Sequence, residues 1–263
     1  DKELQHPAVT YWVCLAALSI IALLGVCATS ASPPDPAPAE GSFKVLTYNI
    51  QQGYSQDGLK NYDGQLALIR SLDPDIIGLQ ESDTNRISGG NCDVVRYYAD
   101  RLNTHSCYGA KTVSGTFGIA LLSKYPIKNP RTFFMFSEGE QTAAIVAEIA
   151  VNDRTFLVYV THLGNGGPMV QQEAILQDAA GKSNVLLMGD FNFRPDGKQY
   201  ALTQKTLEDA WLLRWPKDAD DEGIHIENRI DYIFVTPGTK VREARYILSP
   251  VSDHPAMMAE IEW

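Results

Sequence analysis

The tetrapeptide Gly189-Asp190-Phe191-Asn192 closes the apolar run Asn184-Val-Leu-Leu-Met188, and Ser252-Asp253-His254 stands just ahead of the last strand-like segment. A strand that stops on Gly-Asp leaves the carboxylate at the mouth of a sheet, where loops supply further polar groups. Carboxylates and an imidazole so placed suit metal-dependent cleavage of a phosphate ester. Four other segments also end on functional side chains: Thr47-Tyr48-Asn49-Ile50, Leu79-Gln80-Glu81, Thr161-His162-Leu163-Gly164-Asn165 and Arg229-Ile230-Asp231-Tyr232.

Each segment alone has an ordinary explanation. Glu81 reads as a solvated carboxylate, Asp190 as a turn cap, His162 as a satisfied strand-end histidine, and His254 as a loop histidine before Pro255. Gly164, Gly166 and Gly167 either let backbone approach a ligand or simply form a flexible loop. With Asp231 to orient it, however, His254 fits a carboxylate-supported acid/base, because an unperturbed imidazole pKa of ~6.5 lies near operating pH. No Gly-x-Ser-x-Gly elbow, Walker loop or zinc-type His/Cys cluster competes.

The elements that must carry these side chains follow from periodicity. Phe43 to Ile50 reads as a strand, Tyr62 to Leu72 as an amphipathic helix and Asp75 to Gln80 as a second strand, a β-α-β start. A helix over Asp93 to Leu102 precedes a Gly/Ser/Thr loop and the strand Gly118 to Ser123. Ala143 to Ala150 and Thr155 to Thr161 flank Val-Asn-Asp-Arg, a connection short enough to favour an antiparallel pair. Pro168 opens a helix through Ala179, and strands Val185 to Met188, Ile230 to Val235, Arg245 to Leu248 and Ala256 to Glu260 follow. Mixed strands with helices between some of them predict a four-layer α/β sandwich, two sheets face to face with helices outside.

The whole chain of 263 residues carries a net charge of −10, and residues 1–42 hold one basic and four acidic side chains, leaving 21 basic against 28 acidic, or −7, for 43–263. Such a balance suits long duplex DNA poorly, because Lys and Arg supply most non-specific affinity for phosphates. Residues 7–34 carry no charged side chain, and Ala8 to Ala28 matches the ~20 apolar residues that cross a bilayer. Residues 1–30 are read as a membrane anchor, with a signal peptide cleaved near Val26-Cys27-Ala28 as the rival. A first residue of Asp rather than Met makes the chain readable as the tail of a longer membrane protein. Residues 31–42, with Pro33, Pro34, Pro36 and Pro38, read as an extended tether without a fixed fold. Cys92 and Cys107 share the soluble part, either as two thiols or as a pair in an oxidising compartment.

The order and spacing of the six segments resemble the endonuclease/exonuclease/phosphatase superfamily, the DNase-I-like fold, over residues 43–263. That resemblance implies Mg²⁺, with Mn²⁺ as an alternative, held by Glu81, Asn49 and Asp253. One firm carboxylate suffices for an ion that keeps several waters. It also implies an Asp231–His254 pair, an Asp190 that orients or deprotonates the attacking water with Asn192 beside it, and His162 as a donor to a phosphate oxygen. Either Asp190 or His254 can take the proton. Asn165 is a candidate second donor.

Leu46-Thr-Tyr-Asn-Ile-Gln-Gln-Gly53, Ile77-Gly-Leu-Gln-Glu-Ser-Asp-Thr84, Gly115-Thr-Phe-Gly-Ile-Ala-Leu-Leu-Ser-Lys-Tyr-Pro126 and Gly139-Glu-Gln-Thr-Ala143 resemble the soluble tail of the calcofluor-white-hypersensitive family. Its members are multispanning membrane proteins tied to lipid remodelling of glycosylphosphatidylinositol anchors. The resemblance implies a phosphorylated, lipid-linked substrate, a membrane-anchored catalytic domain on the lumenal or extracytoplasmic side, and no inferable protein partner. A nuclease or sugar-phosphate hydrolase of the same fold and a non-catalytic binding module are the alternatives. Phe117, Phe133, Phe134 and Phe136 are expected to pack in the core rather than form a lipid-facing rim.

Overall fold

The structure is a computed structural model that describes residues 7–29, 33, 34, 36, 40–82, 84, 86, 90–109, 118–139 and 141–262. The chain divides into two units, residues 1–34 and 35–263. In the first, helix α1 (Pro7–Thr29) contains Val9–Ala28, long and apolar enough to cross a membrane. The expected tether lies largely outside the described residues, and its last position is corrected: Ser42 is already strand, pairing with Glu262.

Among its described residues the second unit holds twelve strands in two sheets; the two-sheet arrangement and nine of the strands are as the sequence predicts. One six-stranded sheet contains β1 (Ser42–Asn49), β2 (Ile76–Gln80), β3 (His105–Gly109), β4 (Ile119–Ser123), β11 (Lys240–Ile247) and β12 (Ala256–Glu262), in the order β11-β12-β1-β2-β4-β3. The other contains β5 (Ile127–Phe134), β6 (Ala143–Val151), β7 (Arg154–His162), β8 (Val185–Asp190), β9 (Glu208–Asp209) and β10 (Asp231–Val235), in the order β5-β6-β7-β8-β10-β9. Helices α2 (Tyr62–Leu72) and α3 (Val94–Leu102) cover the outer face of the first sheet, and α4 (Met169–Ala179) and α5 (Lys198–Thr203) that of the second. Helix α6 (Ala210–Arg214) places Trp211 in the cluster between the sheets.

Helix ends follow their caps. Asn61 accepts from Gly64 N at the start of α2 and Asp93 from Arg96 N at the start of α3, while Asp73 and Asn103 close them in left-handed conformations. Pro168 stands one position before α4, as its N-cap, rather than inside it. β3, β5, β9, α5 and α6 are additions to the sequence reading. β8 runs on through Gly189 and Asp190, and β11 begins at Lys240 instead of Arg245.

Because the central strands are buried on both faces, alternation sorts their side chains into an inward and an outward row. Val45 of β1, Val158 and Val160 of β7, Leu186 and Met188 of β8, and Ile233 and Val235 of β10 face the cluster between the sheets. Leu46 and Tyr48 face α2 and α3, and Tyr159, Leu187, Tyr232 and Phe234 face the helices on the far side. The inward rows therefore continue to Asn49, His162, Asp190 and Asp231 at the strand ends.

Two buried polar groups pin the connections near those ends. Gln65 of α2 donates from Nε2 to the carbonyls of Ile50 (2.9 Å), Tyr54 (3.2 Å) and Val251 (2.7 Å), while its Oε1 accepts from Tyr98. Arg229, 1% exposed, holds Asp209 at 2.7 Å and Asp218 at 3.2 Å just ahead of Asp231.

All three hydrophobic clusters draw on residues 43–261 alone, so the core is complete without α1. Residues 40–263 produced by themselves are expected to unfold in one cooperative transition, followed by circular dichroism on heating. Aggregation without a transition would show that the core needs more of the chain.

Candidate active site

β7 and β8 are parallel neighbours in register His162 with Asp190, and β10 brings Asp231 opposite Asp190 from the other side. Gly189 makes the approach of β7 and β8 possible: a Cβ there would meet the backbone oxygen of Thr161 at 2.1 Å. Asp190 thereby sits 1% exposed, its Oδ2 accepting from Asn49 Nδ2 at 3.0 Å, with His162 Nε2 at 3.6 Å and His254 Nε2 at 3.7 Å. Its Oδ1 accepts from the Asn192 backbone at 3.0 Å.

Glu81 reaches the same point by a different route. Alternation along β2 puts Gln80 inward, beside Thr47, and would send the next side chain outward. A left-handed backbone at Glu81, φ 48°, turns it back instead. Asn49 Nδ2 donates to its Oε1 at 3.3 Å and Gln52 Nε2 to its Oε2 at 3.4 Å. Asn192, also left-handed at φ 53°, donates to the Leu163 carbonyl at 2.9 Å and faces the cleft.

His254 arrives on the β11–β12 connection. Ser252 fixes that loop by donating to the Asn49 carbonyl at 2.7 Å and accepting from His254 N at 3.3 Å. His254 Nδ1 meets Asp231 Oδ2 at 2.9 Å, and Asp231 Oδ1 is buried without a partner among the described residues. Burial, then repulsion from Asp190, lifts the Asp231 carboxyl above the usual range, against the pull of His254. Burial also opposes charge on His254, yet the hydrogen bond and charge of Asp231, followed by the charges of Asp190 and Asp253, outweigh it and raise the imidazole to about 9. His254 therefore holds its second proton at neutral pH.

Glu81, His162, Asp190, Asn192 and His254 line a cleft of about 690 Å³ that crosses from Glu81 and Gly118 on one sheet to His162 and Asp190 on the other, while Asn49 and Asp231 stand behind its wall. Asn165 is exposed and lines it too. Asp253 is exposed and does not, although its charge acts on His254. The cleft also takes Ser137, Glu138, Gln141 and Gln171, polar groups that no strand-end pattern singles out because they lie in connections or in a helix. No Lys or Arg lines it among the described residues.

The donor set fits a hard divalent cation. Glu81 is held by neutral amides with no cation in ion-pair contact among the described residues, and Asp190 and Asp231 add carboxylates nearby. Asp190, Asp231 and His254 have ligand atoms within 4.8 Å of one another. His254 and Asp231 already engage each other, which leaves Glu81 as the open carboxylate. Asn49 presents its Nδ2 to both Glu81 and Asp190 while its Oδ1 accepts from Gln51 N at 3.0 Å, so as placed it steadies the carboxylates.

Of the two alternatives for Cys92 and Cys107, the structure has both as free thiols. One expectation about side chains outside the catalytic set changes. Phe134 and Phe136 are exposed rather than packed: Phe134 ends β5, an edge strand, and Phe136 lies in the connection that follows it. Phe133 does pack against the outer cluster, and Phe117 lies outside the described residues.

Residues 46–254 match the endonuclease/exonuclease/phosphatase family. Protein cwh43 of Schizosaccharomyces pombe (strain 972 / ATCC 24843) is 37% identical over 97 residues, which are 36% of this chain and 10% of that protein. A solved endonuclease/exonuclease/phosphatase structure from Beutenbergia cavernae DSM 12333 superposes with a TM-score of 0.68 at 20% identity, covering 85% of this chain and 72% of that one. A mannosyl-6-phosphatase of Bacteroides thetaiotaomicron VPI-5482 superposes with a TM-score of 0.63 at 18% identity, covering 84% of this chain and all of that one (100%).

Two measurements test the site. The His254 imidazole, followed by NMR in metal-free protein, is expected to titrate near 9, and in Asp231→Asn to move down toward the ordinary 6.5, since burial remains while the nearest countercharge goes. An unmoved midpoint would separate the two side chains. Mg²⁺ is expected to raise the thermal unfolding midpoint through preferential binding to the folded state, and Glu81→Gln to abolish most of that rise. An undiminished rise in the variant would remove Glu81 from the metal site.

Proposed function

Since the chain belongs to the endonuclease/exonuclease/phosphatase family, a family of hydrolases, we propose that it is a membrane-tethered, Mg²⁺-dependent phosphodiesterase acting on a lipid-linked phosphate. The observation that carries the reading is that Glu81, His162, Asp190 and His254 line one cleft, with Asn49 bonded to Glu81 and Asp190 behind its wall and Asp231 to His254. Glu81 would hold the cation, with Asn49 steadying it and Asp253 placed to bind an outer water. When bound, that cation neutralises charge on the phosphoryl oxygens and on the departing oxygen.

The chain's own groups divide the remaining work. His254 carries a proton at neutral pH, so it donates to phosphoryl oxygen, and Asp231 keeps its ring oriented. Asp190 then orients the attacking water and takes its proton. The water oxygen bonds to phosphorus as the bond from phosphorus to the ester oxygen breaks on the opposite side, and the departing oxygen takes a proton from solvent water while Asp190 returns its own to solvent. His162 and Asn192, both on the cleft wall, donate to the developing oxyanion, and Asn165 contacts the substrate at the rim.

Support for a lipid-linked substrate comes from the likeness to cwh43, of which this chain spans about a tenth, and from α1. The net-negative domain and a cleft without Lys or Arg among its described residues weigh against a nucleic-acid backbone.

Residues 40–263 with Mg²⁺ are expected to hydrolyse an inositol phospholipid or glycosylphosphatidylinositol-linked protein, to stop in EDTA, and to lose on the order of 10²- to 10⁴-fold in rate in His254→Ala. Nicking of plasmid DNA with no lipid product would replace this reading by a nuclease. Binding of lipid without turnover would replace it by a non-catalytic module.

A further inference from the structure

Outside α1, six large apolar side chains are exposed among the described residues: Leu59, Phe134, Phe136, Val170, Leu213 and Leu248. Scattered singly they would be ordinary, but five of the six share one end of the domain. Leu59 lies in the β1–α2 connection that follows Asn49, and Phe134 and Phe136 lie at the turn into β6, whose first residue pairs with His162. Val170 is in the first turn of α4, just after β7, and Leu248 shares the β11–β12 connection with His254. These connections all leave the sheets where Asn49, His162 and Asp190 end their strands, and Phe136 and Val170 line the cleft itself, so the five apolar side chains share the end of the domain that carries the cleft. They are between 46% and 67% exposed. Gln171 Nε2 donates to the Phe136 carbonyl at 2.9 Å, which ties the Phe136 loop to the Val170 turn. The sixth, Leu213, lies on α6, on the flank.

We propose that this face docks on a zwitterionic lipid bilayer, seating the five side chains at the headgroup boundary so that the cleft opens onto the lipid surface. The inference rests on the reading of the substrate as lipid-linked. Three observations select this occupant. The chain carries α1, apolar enough to cross a bilayer, and the twelve residues between α1 and β1 reach no more than about 40 Å when extended. Residues 43–263 carry 28 acidic against 21 basic side chains, and the described cleft walls hold Glu81, Glu138 and Asp190 but no Lys or Arg, so anionic lipid would be repelled. Attraction is left to apolar side chains, two of them phenylalanines, whose contribution grows with the apolar area they bury and is indifferent to salt.

Flotation of residues 40–263 with phosphatidylcholine vesicles tests the proposal, because binding is read without turnover. The domain is expected to float with the vesicles at low and high salt alike, and added phosphatidylserine should not strengthen binding. Phe134→Ser with Phe136→Ser should lower partitioning roughly 10-fold at an unchanged unfolding midpoint. Leu213→Ser should leave partitioning unchanged. No flotation, binding that needs anionic lipid and disappears in salt, or binding that survives the double substitution would overturn the proposal. So would a concentration-dependent dimer that the double substitution dissolves, since the face would then belong to a second copy. Hydrolysis of a water-soluble aryl phosphodiester checks the chemistry separately. Turnover without vesicle binding sinks the docking alone, and vesicle binding without turnover sinks the hydrolase alone.

Discussion

Two sheets pressed face to face leave their inward side chains little room to be polar except near the positions where the strands end, as in the buried Thr47–Gln80 pair. Within the sandwich the inward rows are Val, Ile, Leu and Met, sealed from water on every side. At one end, four rows finish together on Asn49, His162, Asp190 and Asp231. Polar groups cluster there because a deeper one must find its partner inside the sandwich, as Thr47 does in Gln80, and each strand behind them is held by its neighbours. Asp190 shows the consequence: a carboxylate 1% exposed is tolerable only with donors from several elements, and it receives them from β1 and from its own turn, with imidazoles from β7 and the His254 loop nearby.

The groups that do not come from an inward row need separate devices. Glu81 needs a left-handed backbone, a conformation that costs a non-glycine residue about 1 kcal/mol or more and persists only where the surroundings impose it. Here the Gln52 backbone donates to the Glu81 carbonyl at 3.0 Å while the side-chain amides of Asn49 and Gln52 hold the carboxylate. His254 needs its loop anchored, and Ser252 supplies one anchor while Gln65, reaching the Val251 carbonyl from α2, supplies another. A side chain buried on a helix thus fixes a loop nearly 190 positions away in sequence, since |i−j| is 186 for that contact.

Long uninterrupted apolar runs such as Val185 to Met188 were legible as strands because both faces of a central strand are buried, and polar residues at their ends were legible as an active-site pattern for the same reason. The two-layered sheet architecture followed from strand count and order. Less was legible at the edges. β5 carries Lys128, Asn129, Pro130 and Arg131 in a strand that is exposed over most of its length and broken by a register shift, so it has neither alternation nor an apolar run. β3, with His105 and Ser106, and the two-residue β9 are equally faint. The exposure of Phe134 and Phe136 was hidden because aromatic content suggests burial, and only the structure shows them at and just past the end of an edge strand. Gln65 and Gln171 were invisible for a different reason: a glutamine on a helix gives no local sign of the carbonyls it will meet.

The charge distribution links the chemistry to the surroundings of the cleft. Glu81, Asp190 and Asp231 concentrate negative charge in a space walled by apolar strands, where field lines are poorly screened. Against burial, the hydrogen bond and charge of Asp231, then the charges of Asp190 and Asp253, raise the His254 imidazole, and Glu81 has no protein counter-ion among the described residues. On the proposed function, a site of this kind would repel a free polyanion and take a phosphate group together with a divalent cation, which would favour an ester bearing a single negative charge over one bearing several. Selection by charge is then unable to draw the substrate in from a distance, because the domain as a whole is also acidic. On the proposed docking, the apolar side chains at this end of the domain would take over that task. A face whose cleft repels and whose rim adheres would concentrate the domain on a neutral interface, where a lipid-linked ester would be met by lateral diffusion rather than by electrostatic capture.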